Sequence, residues 1–214
     1  MIFFRKKIKL PVTGEEINLE ERINSAVFPM LQGGPHNNTI AGIAVALKEV
    51  MDPSFKDYIV QLKKNMVALA NKMMELGHSI VTNGTDNHLV LWNLKPWGLT
   101  GSKMQKMLEM ANMTVNMNTL YGDSNPMAPS GIRIGSAAMT SRRLVESDFE
   151  QIAVFLHEGA QIAVEIQEKS GKAMNAFMKG CEGNEKILKL REKVEAFAIT
   201  FPMPGFEVDV SKKD

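Results

Sequence analysis

Apolar side chains recur every three or four positions along two long segments of the chain. In the first segment the apolar positions are Phe55, Ile59, Leu62, Met66, Leu69, Met73 and Leu76. This spacing places them on one face of a helix, with Pro53 in its first turn and Gly77 as its C-terminal cap. The second segment, Glu146 to Lys169, has the same period and predicts another long helix. A capping box of Ser147 and Glu150 is expected at its start.

Shorter elements are predicted around these two helices. Helices are expected at 19–26, 37–51, 101–110 and 184–198, the third of them capped by Thr100. Short β-like runs predict strands at 2–5, 79–82, 88–94, 114–116 and 131–135, with a turn at 11–18 and a loop at 119–131. Strands interleaved with helices favour an α/β or α+β domain over a helix bundle.

Composition and charge exclude several classes of protein. Lys+Arg 25 against Asp+Glu 24 leaves a net charge of +1, without the basic excess that nucleic-acid binding needs. The single cysteine, Cys181, forms no internal disulfide, and the longest uncharged apolar run, Ile40 to Leu47, is too short to cross a membrane. No metal site is predicted, because the four histidines lie in different elements. The 16 methionines, many at helical spacing, are interpreted as core filler rather than as a binding surface.

A glycine pair precedes the helix predicted at 37–51. In the run Gln32-Gly33-Gly34-Pro35-His36, the paired glycines leave backbone N–H groups accessible just before a helix N-terminus. Such a loop can bind a phosphate group without any side chain. A purely structural turn is the alternative interpretation of the same residues.

One arginine lies alone on a predicted strand. Arg133 stands between Ile132 and Ile134, so its side chain points away from the apolar face. A guanidinium group suits a planar, bidentate contact with a carboxylate. Two interpretations follow from the spacing: Arg133 binds a carboxylate ligand, or it pairs with a structural Asp or Glu.

Several motifs, taken together and in order, resemble serine hydroxymethyltransferase. They are Asn24-Ser25-Ala26-Val27-Phe28-Pro29, Gln32-Gly33-Gly34-Pro35-His36-Asn37, Thr85-Asp86-Asn87-His88-Leu89, Asn116-Met117-Asn118-Thr119, and Ser130-Gly131-Ile132-Arg133-Ile134-Gly135 continuing to Met139-Thr140-Ser141-Arg142. The closing run Phe201-Pro202-Met203-Pro204-Gly205 resembles the eukaryotic branch of the family. The resemblance extends almost from end to end, and it covers only the C-terminal half of the family's usual chain.

The resemblance implies an α/β protein, the C-terminal part of a pyridoxal-phosphate (PLP)-dependent transferase of fold type I, which is aspartate-aminotransferase-like. Residues 1–50 would be the end of the large PLP-binding domain, and 51–214 the small α+β domain. The family converts serine and tetrahydrofolate into glycine and 5,10-methylenetetrahydrofolate with PLP as cofactor. The implied partners are these small molecules and further copies of the chain, as a homodimer or homotetramer. Another fold-type-I enzyme, such as an aminotransferase, would share the carboxylate arginine but would not explain the loop at 32–36.

The resemblance also assigns roles to individual residues. Gly33 and Gly34 correspond to glycines whose backbone binds the PLP phosphate of the neighbouring subunit, and Arg133 to the arginine that binds the amino-acid carboxylate. Phe28 corresponds to an aromatic residue that lies against the folate from the partner subunit. The folate-contacting segment corresponds to Asn118, Asn125, Pro126 and Met127. The sequence departs from the family at Asn38, Ala137 and Arg143, where histidine, proline and glycine are usual.

The family's Schiff-base lysine has no counterpart in this sequence. In the family it ends a threonine-rich stretch in His-Lys, and no lysine here has that context. The isolated chain is therefore expected to contain no catalytic residue, to lack activity and not to retain PLP. The alternative is a non-catalytic truncated paralogue that acts as a binding or dimer-interface module. Cytoplasmic and mitochondrial locations both fit, because any presequence would precede the matching region.

Overall fold

Two units make up the chain in the computed structural model, Met1–Asp52 and Pro53–Asp214. The structure describes residues 3–205. The boundary between the units lies two residues after the predicted end of the first domain at residue 50. That the first unit is the end of a larger domain stays a prediction.

The N-terminal unit is a small hairpin followed by helices. Strands β1 (Lys7–Lys9) and β2 (Glu16–Asn18) pair antiparallel, with Ile8 opposite Ile17. Helix α1 (Leu19–Ser25) begins where the Asn18 side chain accepts a hydrogen bond from the Glu21 N–H. A segment kinked at Phe28, Ala26–Leu31, and helix α2, Asn37–Val50, follow. Both helices predicted in this unit are confirmed.

The predicted strand at 2–5 is wrong for the residues that the structure describes. Ile2 lies outside the described residues, and 3–5 have no regular structure. The Phe3 side chain is exposed, so no strand partner covers it within this unit. Two strands form instead at 7–9 and 16–18. The second of them, β2, lies inside the segment 11–18, so the predicted turn is wrong at its C-terminal end.

Apolar side chains of the N-terminal unit are open to solvent. None of residues 3–52 is buried, although α2 is apolar over much of its surface. Ile40, Ile43 and Leu47 on α2 are each more than half exposed. Because burying an apolar surface away from water lowers the free energy, α2 is suited to packing against another polypeptide surface.

The C-terminal unit combines one antiparallel sheet with helices. Its strands are β3 (Ser79–Ile80), β4 (Leu89–Asn93), β5 (Asn116–Asn118) and β6 (Gly131–Gly135), in the spatial order β3-β4-β6-β5. The helices are α3 (Pro53–Glu75), α4 (Gly101–Met110), α5 (Ala137–Ser141), α6 (Glu146–Ser170), α7 (Met174–Cys181) and α8 (Glu185–Ala198). Strand β6 therefore lies between β4 and β5, with a neighbour on each side.

One face of the sheet contributes to the core. Trp92 and Ile132 lie opposite each other on that face and are fully buried. Helix α3 contacts β3 and β4, and helix α4 contacts β5 and β6. The methionines at helical spacing, Met66, Met73, Met104 and Met107, are all fully buried. The interpretation of these four as core filler is confirmed.

The two long helices, α3 and α6, lie where the sequence predicts them, whereas one helix cap, the start of a strand and one short helix differ from the prediction. The predicted capping box of Ser147 and Glu150 is wrong, because the Asp148 carboxylate accepts a hydrogen bond from the Val145 N–H at 2.8 Å instead. Strand β5 begins two residues later than predicted, and α7 was not predicted at all. No helix among residues 3–205 is both long and apolar enough to cross a bilayer.

Candidate functional site

The sheet of the C-terminal unit has a second, polar face. Arg133 lies on it, opposite Leu91 of β4 on one side and Asn116 of β5 on the other. Directly paired residues of an antiparallel sheet share a face, so these three side chains lie side by side. The strand at 131–135 and the alternation that places Arg133 opposite the core face were both predicted from sequence.

The Arg133 guanidinium makes no hydrogen bond or ion pair within residues 3–205. It is exposed, and its backbone is fixed by ladders to β4 and β5. A guanidinium that projects from a fixed strand can bind a planar anion with two parallel hydrogen bonds. No structural ion pair of Arg133 is seen in this part of the chain.

The end of β5 and the loop that connects it to β6 contain the residues predicted for the folate site in this unit. Asn118 ends β5 opposite Gly131, and its side-chain amide donates to Thr119 O at 2.7 Å. At the tip, Asn125 Oδ1 accepts a hydrogen bond from Met127 N at 2.9 Å, which closes a local turn. Pro126 lies inside this turn, and the Met127 side chain is exposed. The tip is therefore accessible to a ligand.

One residue of this loop was not identified from sequence. Asp123 bonds both ends of the loop through its carboxylate. In sequence, an aspartate near glycine and proline indicates only a turn. Its hydrogen-bond partner Ser130 lies seven positions further along the chain. No local pattern links two residues at that spacing.

In the N-terminal unit, Gly33 and Gly34 precede helix α2 directly. Neither has a positive φ, and a Cβ added to either would meet nothing within 4 Å. No neighbouring atom of the unit therefore requires glycine at these positions. The close approach of an external group to the backbone would be a reason for glycine.

The N-terminus of α2 provides the donors for such a group. The His36 side chain makes no capping hydrogen bond, and Ile40 N is bonded to His36 O at 3.0 Å. The N–H groups of Asn37, Asn38 and Thr39 therefore have no acceptor within the helix. Accessible N–H groups and the positive end of a helix dipole fit a phosphate group, as the sequence interpretation required.

Phe28 lies at the kink of the segment Ala26–Leu31 in the same unit. Its backbone is extended (φ −139°, ψ 127°), and 62% of its surface is exposed. An aromatic ring this accessible can stack against a planar ligand.

A buried histidine in the C-terminal unit is a packing feature. His78 Nε2 lies 3.0 Å from His157 Nδ1, and the His78 ring stacks on Trp97 with centroids 4.6 Å apart. Burial, with a smaller contribution from His157, lowers the pKa of His78 to about 4. His78 is therefore neutral near pH 7, as a core residue in an aromatic cluster should be.

Comparison with protein families identifies the class to which this fold and these loops belong. The family model for serine hydroxymethyltransferase matches residues 1–156, and that family consists of PLP-dependent enzymes of fold type I. The chain belongs to the serine hydroxymethyltransferase family.

Individual relatives match almost the whole chain. It is 50% identical to serine hydroxymethyltransferase 5 of Arabidopsis thaliana over 100% of this chain, and 47% identical to the cytosolic serine hydroxymethyltransferase of Oryctolagus cuniculus over 96%. A Caenorhabditis elegans serine hydroxymethyltransferase is 44% identical over 97% of the chain. These matches cover 46%, 44% and 42% of the three relatives, so the chain spans less than half of their length.

Proposed function

We propose that this chain is the C-terminal part of a serine hydroxymethyltransferase and supplies its contacts to substrate, cofactor phosphate and folate. The observation that carries the proposal is Arg133, a guanidinium without an acidic partner in the described residues, on a strand fixed from both sides. The reaction would interconvert serine plus tetrahydrofolate with glycine plus 5,10-methylenetetrahydrofolate.

Each group of site residues has a separate task in this proposal. Arg133 binds and orients the carboxylate of serine or glycine with two parallel hydrogen bonds. The loop at Gly33 and Gly34, with the N-terminus of α2, would hold the phosphate of the PLP bound by the neighbouring subunit. PLP, when bound, supplies the electron sink that allows a bond at the amino-acid α-carbon to break.

Tetrahydrofolate would be held by the C-terminal unit of one subunit and by Phe28 of the neighbouring subunit. Asn118 and the turn at 125–127 offer amide and backbone groups for its polar ring atoms, and Phe28 offers an aromatic surface. Together these residues bind and align the one-carbon acceptor relative to the amino acid.

The isolated chain is proposed to be inactive. No lysine in its 214 residues has the family's Thr-rich His-Lys context, so the residues present fit the phosphate of PLP but not its covalent attachment. Oligomerisation as a homodimer or homotetramer is proposed for the complete enzyme, whose location would be cytoplasmic or mitochondrial.

The exposed apolar surface of α2 favours a second candidate function. Ile40, Ile43 and Leu47 are open to solvent in the N-terminal unit, as expected of a surface that binds another protein. A non-catalytic paralogue that acts as a binding or dimer-interface module would use this surface without performing the reaction.

A chimera separates the two candidates. The chimera joins the part of the Oryctolagus cuniculus cytosolic relative that precedes the matched region to residues 1–214 of this chain. We expect it to convert serine to glycine in the presence of tetrahydrofolate, whereas the isolated chain with PLP and the rabbit part alone do not. The complete rabbit enzyme is the positive control.

Two results of this experiment would contradict the proposal. A chimera that folds and holds PLP but does not convert serine would favour the non-catalytic paralogue. Serine conversion by the isolated chain with PLP would show that another of its lysines attaches the cofactor.

A further inference from the structure

The connection between β5 and β6 is a long hairpin loop, residues 119–130. Its ends meet where Asn118 pairs with Gly131. Near its C-terminal end, Pro129 O accepts from Gly101 N at 2.7 Å, and Ser130 O accepts from Leu94 N at 2.9 Å. These backbone bonds attach that end of the loop to the body of the unit.

The carboxylate of Asp123 ties the other end of the loop to this anchored end. Asp123 Oδ2 accepts hydrogen bonds from Leu120 N and from Ser130 N, both at 2.9 Å. Asp123 Oδ1 accepts from the Ser130 hydroxyl at 2.6 Å. One side chain thus bonds residues at both ends of the loop and closes its base.

Lys95, which lies outside the loop, contacts both the Asp123 carboxylate and the loop backbone. Its ammonium group lies 3.1 Å from Asp123 Oδ1 and donates to Tyr121 O at 3.3 Å. The Asp123 side chain is only 7% exposed. An ionised carboxylate that accepts several hydrogen bonds and is shielded from water forms stronger bonds than a neutral group would.

The protonation state of Asp123 is consistent with this geometry. Hydrogen bonds from the Leu120 N–H, and then from the hydroxyl and N–H of Ser130, hold the pKa of Asp123 well below its usual range. A lowered pKa means that the charged form is favoured in the folded state. Its bonds are therefore complete at neutral pH. The stability that they contribute declines only as the pH falls below the ordinary pKa of an aspartate toward the lowered pKa of Asp123.

We propose that Asp123 is a positioning residue for tetrahydrofolate: by closing the base of the loop it holds the turn at 125–127 in the conformation that contacts the folate. This inference rests on the proposed function. Arg133, in contrast, is held by the ladders to β4 and β5 and does not depend on Asp123. Loss of the Asp123 bonds should therefore weaken folate binding and leave binding of the amino acid unchanged.

The first experiment measures the loop in the 214-residue chain. Amide hydrogen exchange by NMR is compared for the wild type, Asp123→Asn and Asp123→Ala. We expect exchange at the Leu120 amide to accelerate at least about tenfold in Asp123→Ala and less in Asp123→Asn, which keeps one acceptor oxygen. The buried amide of Trp92 should not change. Asp57→Asn, an exposed position on α3, is the control for loss of one negative charge.

The second experiment measures function in the chimera. Asp123→Asn should raise the KM for tetrahydrofolate at least about tenfold, while the KM for serine stays within about twofold and PLP occupancy is unchanged. A structural role alone would change both KM values or the occupancy together. The split between the two substrates is therefore the readout specific to positioning.

The outcomes distinguish the inference from the proposed function. Unchanged exchange at Leu120 in both variants would overturn the inference, as would a loosened loop with an unchanged KM for tetrahydrofolate in an active chimera. A wild-type chimera that holds PLP but converts no serine would overturn the proposed function, and the positioning role with it.

Discussion

Arg133→Ala in the chimera is expected to lower the turnover of serine at least about thirtyfold. Arg133 is exposed in this chain, and in the proposed complex the bound carboxylate covers its guanidinium. Removing one partner of such a buried, hydrogen-bonded charge pair costs about 2–5 kcal/mol, and each 1.4 kcal/mol corresponds to about tenfold in rate. Arg133→Lys should be nearly as impaired, because lysine keeps the charge but not the planar pair of donors that fixes the tilt of the carboxylate.

Serine affinity and PLP occupancy, measured on the same variants, identify the cause of the loss. PLP occupancy should be normal, because the proposed phosphate-binding residues, Gly33 and Gly34, belong to the N-terminal unit and Arg133 to the C-terminal unit. Arg191→Ala is the matched control, since it removes an exposed arginine that pairs with Glu195 one turn further along α8. Normal serine affinity in Arg133→Ala, or loss of PLP instead, would show that Arg133 is a structural residue of the strand.

Gly101→Ala is expected to destabilise the C-terminal unit strongly. Gly101 begins α4 close to β6, and a Cβ at this position would lie 2.3 Å from Gly131 O, a backbone atom that cannot rotate away. Either α4 or β6 must move, at a cost of about 3 kcal/mol or more, which exceeds the gain of about 1 kcal/mol from the better helix propensity of alanine. Because Gly131 and Arg133 share β6, the same shift would displace the guanidinium.

Thermal unfolding of the 214-residue chain, followed by tryptophan fluorescence, measures this effect. Both tryptophans, Trp92 and Trp97, lie in the C-terminal unit, so the signal reports on that unit alone. A net loss of about 2 kcal/mol or more corresponds to a fall in Tm of at least roughly 4–8 °C. Gly135→Ala on the same strand is the control, because its Cβ would meet His88 O at an ordinary 3.6 Å. Equal Tm values for the two variants would contradict the packing of α4 against β6.

The elements that could be predicted from sequence are those with a sustained pattern. Helix α3 ends within one residue of its predicted end, and α4 begins after Thr100, whose hydroxyl accepts from Lys103 N as a capping residue does. Many buried positions at one period outweigh local irregularities. Strands β1 and β2 have three residues each, which is too short for a period to show.

In the candidate site, too, features set by nearby residues could be predicted from sequence, whereas contacts between distant segments could not. Alternation along five residues predicts the face on which Arg133 lies, but its neighbours Leu91 and Asn116 come from distant strands. Arg143 illustrates the limit in another way: its φ is +67°, a conformation that favours glycine, and glycine is the residue usual there in the family. Sequence resemblance marks this position as unusual, whereas only the backbone explains why.

A crystal structure of the chimera with PLP and glycine tests the central claim most directly. We expect the two carboxylate oxygens of glycine to lie about 3 Å from two guanidinium nitrogens of Arg133, as in a bidentate pair. The PLP phosphate should contact the loop at Gly33 and Gly34. A glycine carboxylate bound by another cation, with Arg133 making no contact to it, would contradict the proposed role of this chain.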